Sequence, residues 1–216
     1  MKSEKFDSSD KPLIYLITDG RATVENFAET KRKILKLIET AIQTKIPLIQ
    51  IREKHLSARL VFELVSEAVK LARDAPTRIL LNDRADIALA ANADGVHLTS
   101  HSLSVEVIKR NFPKNFIVGV SVHSIEKATI AKQAADFVVL SPVFSSSGKG
   151  EPQGIERLRE VCEQLKPFPV LALGGVDETN YEETLKAGAS GFAAIRFLND
   201  EKALRKLAAD FRGWRR

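Results

Sequence analysis

Eight short apolar runs, each ending in polar residues, constrain this chain more than any other feature. They are LIYLITD (13–19), PLIQIREK (47–54), RILLND (78–83), DGVHL (94–98), FIVGVSVHS (116–124), DFVVLSP (136–142), PVLALGG (169–175) and GFAAIRF (191–197). Amphipathic helical stretches separate most of them. A near-continuous apolar run is how a parallel strand buried on both faces reads. Eight such strands alternating with helices predict an α/β fold, a closed (β/α)8 TIM barrel. Barrels of this kind carry their active sites at the C-terminal ends of the strands, so the polar run endings are the candidates for function. These are Thr18, Asp19, Gln50, Arg52, Lys54, Asn82, Asp83, His97, Ser121, His123, Ser141, Gly174, Gly175 and Arg196.

A length of 216 residues suits one barrel domain over 12–216, preceded by a flexible polar tail over 1–11. The single cysteine, Cys162, excludes an internal disulfide and falls in a helical stretch, where a buried, inert thiol is expected. The N-terminus has no apolar core of a signal peptide, and no run reaches the roughly 18 apolar residues of a membrane span. A cytoplasmic protein is the expectation, and a homodimer stays open. The net charge of +5 comes from basic residues scattered along helix faces, clustered only in the terminal RGWRR. With 6% aromatics and no stacking motif, the pattern argues against nucleic acid and for small anionic substrates drawn to the barrel mouth.

The spacing predicts helices over about 24–44 and 57–73, the second capped by Ser57 and burying Leu60, Val61, Leu64 and Val65. Ser104 and Ser124 are the expected caps of two later helices. The segment 141–154 (SPVFSSSGKGEPQG) has no apolar period and holds Lys149 between Gly148 and Gly150. It reads as a lid carrying a substrate-binding lysine, or as a solvated loop tip.

Three groups of residues carry candidate chemistry. Gly174-Gly175 after strand seven lets backbone N–H groups approach an oxyanion, where many barrels bind phosphate; Arg196, at the end of strand eight, can add a bidentate contact. Arg52 and Lys54 alternate with Glu53, so both can face the mouth and meet a pyrophosphate. Asn82 and Asp83 form a hard-oxygen pair suited to Mg²⁺ or to an amine, although Asp83 also suits a helix cap. His97 and His123, at neighbouring strand ends, suit proton transfer; each also has a purely structural reading. His101 and His55 are weaker candidates.

Taken together, QIREK (50–54), LLNDRADIALAANADGVHL (80–98), GVSVHS (119–124), SPVF…GK (141–149), LALGG (171–175) and AGASGFAA (187–194) resemble the thiamine phosphate synthase/TenI family. The resemblance implies a small barrel acting on a thiazole phosphate of the thiamin pathway. Two activities share that scaffold. The synthase joins a pyrimidine diphosphate to the thiazole phosphate with Mg²⁺. The residues matched by Arg52, Lys54, Asn82 and Lys149 hold the diphosphate, and the one matched by Asp83 ligates the metal. The TenI-type tautomerase aromatises a carboxylated thiazole phosphate by moving a proton and needs no metal; its catalytic histidine corresponds to His123.

The chain departs from the synthase pattern after strand four. There GVHLTSHS places Ser102 at the second metal-ligand position, usually an aspartate. The lid lacks a usual threonine at Gly148, and Arg196 replaces a small residue. The expected activity is therefore tautomerase, with His123 catalytic and Gln50, Arg52, Lys54, Asn82, His97, Ser121, Lys149, Gly174, Gly175 and Arg196 binding substrate. The alternatives are a Mg²⁺-dependent synthase and a non-catalytic thiamin-phosphate binder.

Overall fold

The computed structural model describes residues 11–146, 148 and 150–211. The expected tail over 1–11, apart from Lys11, lies outside the described residues, as do Lys149 and the terminal basic cluster. Eight strands form a closed parallel barrel: β1 (Leu13–Ile17), β2 (Leu48–Ile51), β3 (Arg78–Asn82), β4 (Gly95–Leu98), β5 (Ile117–Val122), β6 (Phe137–Leu140), β7 (Val170–Ala172) and β8 (Gly191–Ala194). Each pairs with its neighbour in sequence, and β8 closes on β1 with Leu13 opposite Gly191. The helices are α1 (Phe27–Gln43), α2 (Ala58–Ala72), α3 (Ala85–Ala90), α4 (Val105–Asn111), α5 (Ile125–Ala131), α6 (Gly154–Leu165), α7 (Tyr181–Lys186) and α8 (Glu201–Asp210). Among the described residues no helix is long and apolar enough to cross a membrane.

Strand alternation divides the core in two. One face of each strand packs against the helices, through residues such as Ile49, Val96, Val138 and Phe192. The other fills the barrel axis with Tyr15, Leu48, Leu80, Ile117, Phe137, Leu171 and Ala193. Moving up each strand in steps of two, the axial positions turn polar: Leu48 leads to Gln50 and Arg52, Leu80 to Asn82, and Ile117 to Gly119, Ser121 and His123. A packed apolar floor thus carries a polar mouth.

The opposite end is closed by carboxylates. Asp136, buried just before β6, accepts the Val118 N–H at 2.7 Å and pairs with Lys109 at 2.7 Å. Asp94, just before β4, accepts the Ile79 N–H at 2.8 Å in the same way. Both satisfy strand N–H groups that have no further ladder partner, a role in stability rather than catalysis.

Ser57, Ser104 and Ser124 cap α2, α4 and α5 as expected. Two boundaries and one burial differ from the sequence reading. Helix α1 starts at Phe27 rather than near Val24, because the Thr23 N–H donates to Asn26 Oδ1 at 2.7 Å and holds 23–26 in a turn. Leu60 is only partly buried. Strand β8 stops at Ala194, because the Ile195 carbonyl accepts from both the N–H and the side chain of Asn199. That bends the chain into a 3-10 turn (Phe197–Asn199), so Arg196 stands exposed beyond the strand rather than at its end.

Candidate active site

A cavity of about 1020 Å³ opens at the C-terminal ends of the strands. Gln50, Arg52, Lys54, Asn82, His97, Ser121, His123, Gly174, Gly175 and Arg196 are all among the residues that line it. Asp83 and Ser102 are not in the lining. Thr99, Ser100 and His101 from the β4–α4 loop are, as are Ser145 and Ser146 from the β6–α6 loop.

Arg52 and Lys54 face the mouth, and Glu53 between them takes the opposite side. Buried there, its carboxylate accepts the N–H groups of Gly20 at 3.2 Å and Ala22 at 2.9 Å. Burial raises the Glu53 pKa against the lowering effect of Thr18 and these two N–H groups. Thr18 also accepts the Arg52 N–H at 2.8 Å. The β1–α1 loop, Thr18 and Glu53 thereby hold the backbone from which Arg52 projects. Glu53 was missed in the sequence, although the alternation that turned its neighbours inward also turned it out.

The floor is a neutral hydrogen-bonded layer. Gln50 donates to the Tyr15 hydroxyl at 3.0 Å, and burial pushes that phenol well above its usual range. His97 is fully buried, with Nε2 2.9 Å from Ser121 Oγ and its ring against Tyr15 and Phe137. Burial, with the nearby Arg52 charge, lowers its pKa to about 4 despite the opposing Asp83. A histidine that stays neutral through the physiological range is a floor residue, not a proton relay. Between pH 6.5 and about 4 the unfolded chain takes up a proton that the folded chain refuses, so stability falls as pH falls. The expected loss from this residue is about 3 kcal/mol. Urea unfolding as a function of pH checks it: the slope should flatten in His97→Phe, and an unchanged slope would assign it to other groups.

His123 sits exposed at the mouth, one residue past β5. Its Nδ1 lies 2.6 Å from the Ser141 carbonyl oxygen. A carbonyl only accepts, so Nδ1 carries the proton and the neutral ring keeps an acceptor lone pair on Nε2. Gln153, at the start of α6, donates to the same carbonyl at 3.0 Å.

Gly174 and Gly175 have φ of +94 and +64. A Cβ would meet Pro142 Cα at 2.6 Å from Gly174 and Ser145 O at 2.5 Å from Gly175. Their side-chain space is therefore taken by the β6–α6 loop, which is bonded to the turn through Phe144 N–H and the Gly174 carbonyl. The glycine N–H groups have no partner among the described residues and remain free to donate to an anion. The start of α8 is not free: Asp200 caps it by accepting from Lys202 and Ala203. Asp177, Glu178 and Asp200 also line this side, an acidic contribution the sequence reading did not include.

The (β/α)8 barrel thus carries a polar mouth with cationic side chains on one side and backbone N–H donors on the other, an arrangement suited to anionic ligands. The family follows from comparison. The thiamine monophosphate synthase family model matches residues 14–198, and the chain belongs to that family, whose members serve thiamine biosynthesis. A relative from Aquifex aeolicus, provisionally named thiamine-phosphate synthase 2, is 43% identical over 85% of this chain and 96% of its own. The thiamine-phosphate synthase of Pyrococcus furiosus is 35% identical over 94% of each chain. Among solved structures, thiamine phosphate pyrophosphorylase from Pyrococcus furiosus superimposes with a TM-score of 0.77 at 31% identity, covering 94% of this chain and 98% of that one. These names favour the synthase over the tautomerase put first from the sequence.

Proposed function

We propose that this protein is a thiamine phosphate synthase, which joins a pyrimidine carrying a diphosphate to a thiazole phosphate. The observation that carries the reading is the pair of anion-binding walls across one mouth. Arg52, Lys54 and Asn82 project from the ends of β2 and β3; the free N–H groups of Gly174 and Gly175, with Arg196, stand at β7 and β8. In an eight-strand ring β3 and β7 lie opposite each other. Two anion sites suit two phosphorylated substrates, and the cavity is at the upper end of the roughly 300–1,000 Å³ typical of small-molecule sites.

In the reaction the bond from the pyrimidine methylene carbon to the diphosphate oxygen breaks, its electron pair leaving with pyrophosphate. The thiazole nitrogen supplies the pair that forms the new C–N bond. Arg52 and Lys54 stabilise the charge that grows on the departing oxygens. The glycine turn and Arg196 hold the thiazole phosphate so that its nitrogen faces the methylene carbon. Asp83 has both carboxylate oxygens on protein donors and the second ligand position is Ser102, so the residues present do not fit a magnesium held by protein carboxylates.

A second reading, the tautomerase, is favoured by His123 in the cavity lining, where an Nδ1–H held on the Ser141 carbonyl leaves Nε2 as a proton acceptor. Ser102 favours it too, since that reaction needs no metal. A reconstituted assay separates the two. Thiamine phosphate formed from the pyrimidine diphosphate and the thiazole phosphate is the expected result. Aromatisation of the carboxylated thiazole phosphate, abolished in His123→Ala and accompanied by no joining reaction, would replace the synthase with the tautomerase.

A further inference from the structure

Asp83 stands beside the mouth, partly buried and outside the cavity lining, with its carboxylate bonded to Asn82 and Thr99, which do line it. Its backbone takes the left-handed conformation, φ 61, where the chain leaves β3. Oδ2 accepts from Asn82 Nδ2 at 2.7 Å. Oδ1 accepts from Thr99 Oγ1 at 2.9 Å and from Ser102 Oγ. The Ser102 oxygen in turn accepts the Thr99 N–H at 2.6 Å. Burial alone raises the Asp83 pKa, yet the donors Ser102, Thr99 and Asn82, with the Lys54 charge, outweigh it and hold the group ionised.

Three neutral donors from two strand ends thus converge on one charged carboxylate. Of its roughly four acceptor sites, three are occupied within the protein. The bonds tie the β4–α4 loop to the end of β3 and set Ser100 and His101 at the rim of the cavity. A magnesium ion takes hard oxygens in near-octahedral order and gives up water reluctantly. Binding at Asp83 would break several of these bonds for one carboxylate ligand, because the neighbouring position offers a hydroxyl already spent as a donor. Among the described residues no group of three or more histidine, cysteine or acidic side chains is placed to hold a metal.

We propose that Asp83 is the anchor of the β4–α4 loop, and that this protein holds the diphosphate of its substrate through Arg52, Lys54 and neutral donors of the mouth, without a protein-bound magnesium ion. The proposal rests on the synthase reading, because only that reaction presents a diphosphate. Asp83 is on this view a positioning residue. Replacing its charge should loosen the loop while leaving the cationic wall to bind its anion.

Two measurements test this, neither of them turnover. In the first, inorganic pyrophosphate is titrated calorimetrically into the whole protein, in EDTA and in excess Mg²⁺. Affinities within about threefold of each other are expected; tightening of more than about tenfold by Mg²⁺ would overturn the proposal while leaving the synthase reading standing. No binding in either buffer would overturn the diphosphate site itself, and the synthase reading with it. In the second, hydrogen exchange is followed across 99–104 in Asp83→Ala. Exchange faster by roughly tenfold than in the native protein is the expected sign of a released loop. Unchanged exchange, or an Asp83→Ala protein that loses pyrophosphate affinity only in Mg²⁺, would return Asp83 to the role of metal ligand.

Discussion

Arg52→Ala is expected to lower kcat/KM of the joining reaction by roughly 10³, the cost of removing a charged donor from developing negative charge in a sheltered site. Arg52 is half-buried, and its backbone N–H is held by Thr18. Its guanidinium passes close to Gly20, where an added Cβ would approach Nη1 to 3.2 Å. Among the described residues it pairs with no carboxylate, so its charge is free for a ligand. The loss should fall on turnover with the melting temperature little changed, and pyrophosphate should inhibit the variant far less. Arg52→Lys should recover only part of the rate, because a point charge replaces a planar fork. A variant within about threefold of the native kcat/KM would remove this wall from the mechanism.

The largest effect on stability is expected at the seam that closes the barrel. Gly191 opens β8 against Leu13 of β1. A Cβ there would lie 2.0 Å from the Leu13 carbonyl oxygen and 2.7 Å from its nitrogen. Both are backbone atoms of the adjoining strand, so no side-chain rotation relieves the contact. Gly191→Ala should therefore cost more than about 4 kcal/mol, the range reached only when a core position is forced apart. Gly150→Ala, with nothing within 4 Å of its added carbon, is the control and should stay within about 0.5 kcal/mol. Urea unfolding of both proteins measures the difference. A Gly191 variant within about 1 kcal/mol of native would mean that the strands separate more easily than this geometry allows.

The barrel was legible because burial on both faces leaves a plain trace, a short apolar run between amphipathic helices. The mouth was legible for a similar reason. Alternation carried on from β2 puts Arg52 and Lys54 to one side and Glu53 to the other, and the residues keep that parity although the strand itself ends at Ile51. Arg196 was read less well. A hydrogen bond from Asn199 to a carbonyl four residues earlier ends β8 early, and neither residue advertises this in the sequence.

The histidines separate what each level of description can reach. Both end a strand, and in the sequence they look alike. Only the packing of Tyr15 and Phe137 around His97 makes it a buried neutral group, and only the Ser141 carbonyl, eighteen residues away in sequence, assigns the proton on His123. Asp83 follows the same logic. Its position beside Asn82 suggests a metal ligand, whereas its partners Thr99 and Ser102 arrive from another loop and occupy its lone pairs.

The sequence by itself determined the barrel, the end that bears the mouth, and the family, because hydrophobic period and strand-end chemistry are local properties. Which side chains face a ligand, which stay neutral and which are already spent on the protein were decided by the tertiary structure alone. Desolvation and hydrogen-bond saturation depend on neighbours that the chain brings together only when the eight strands close.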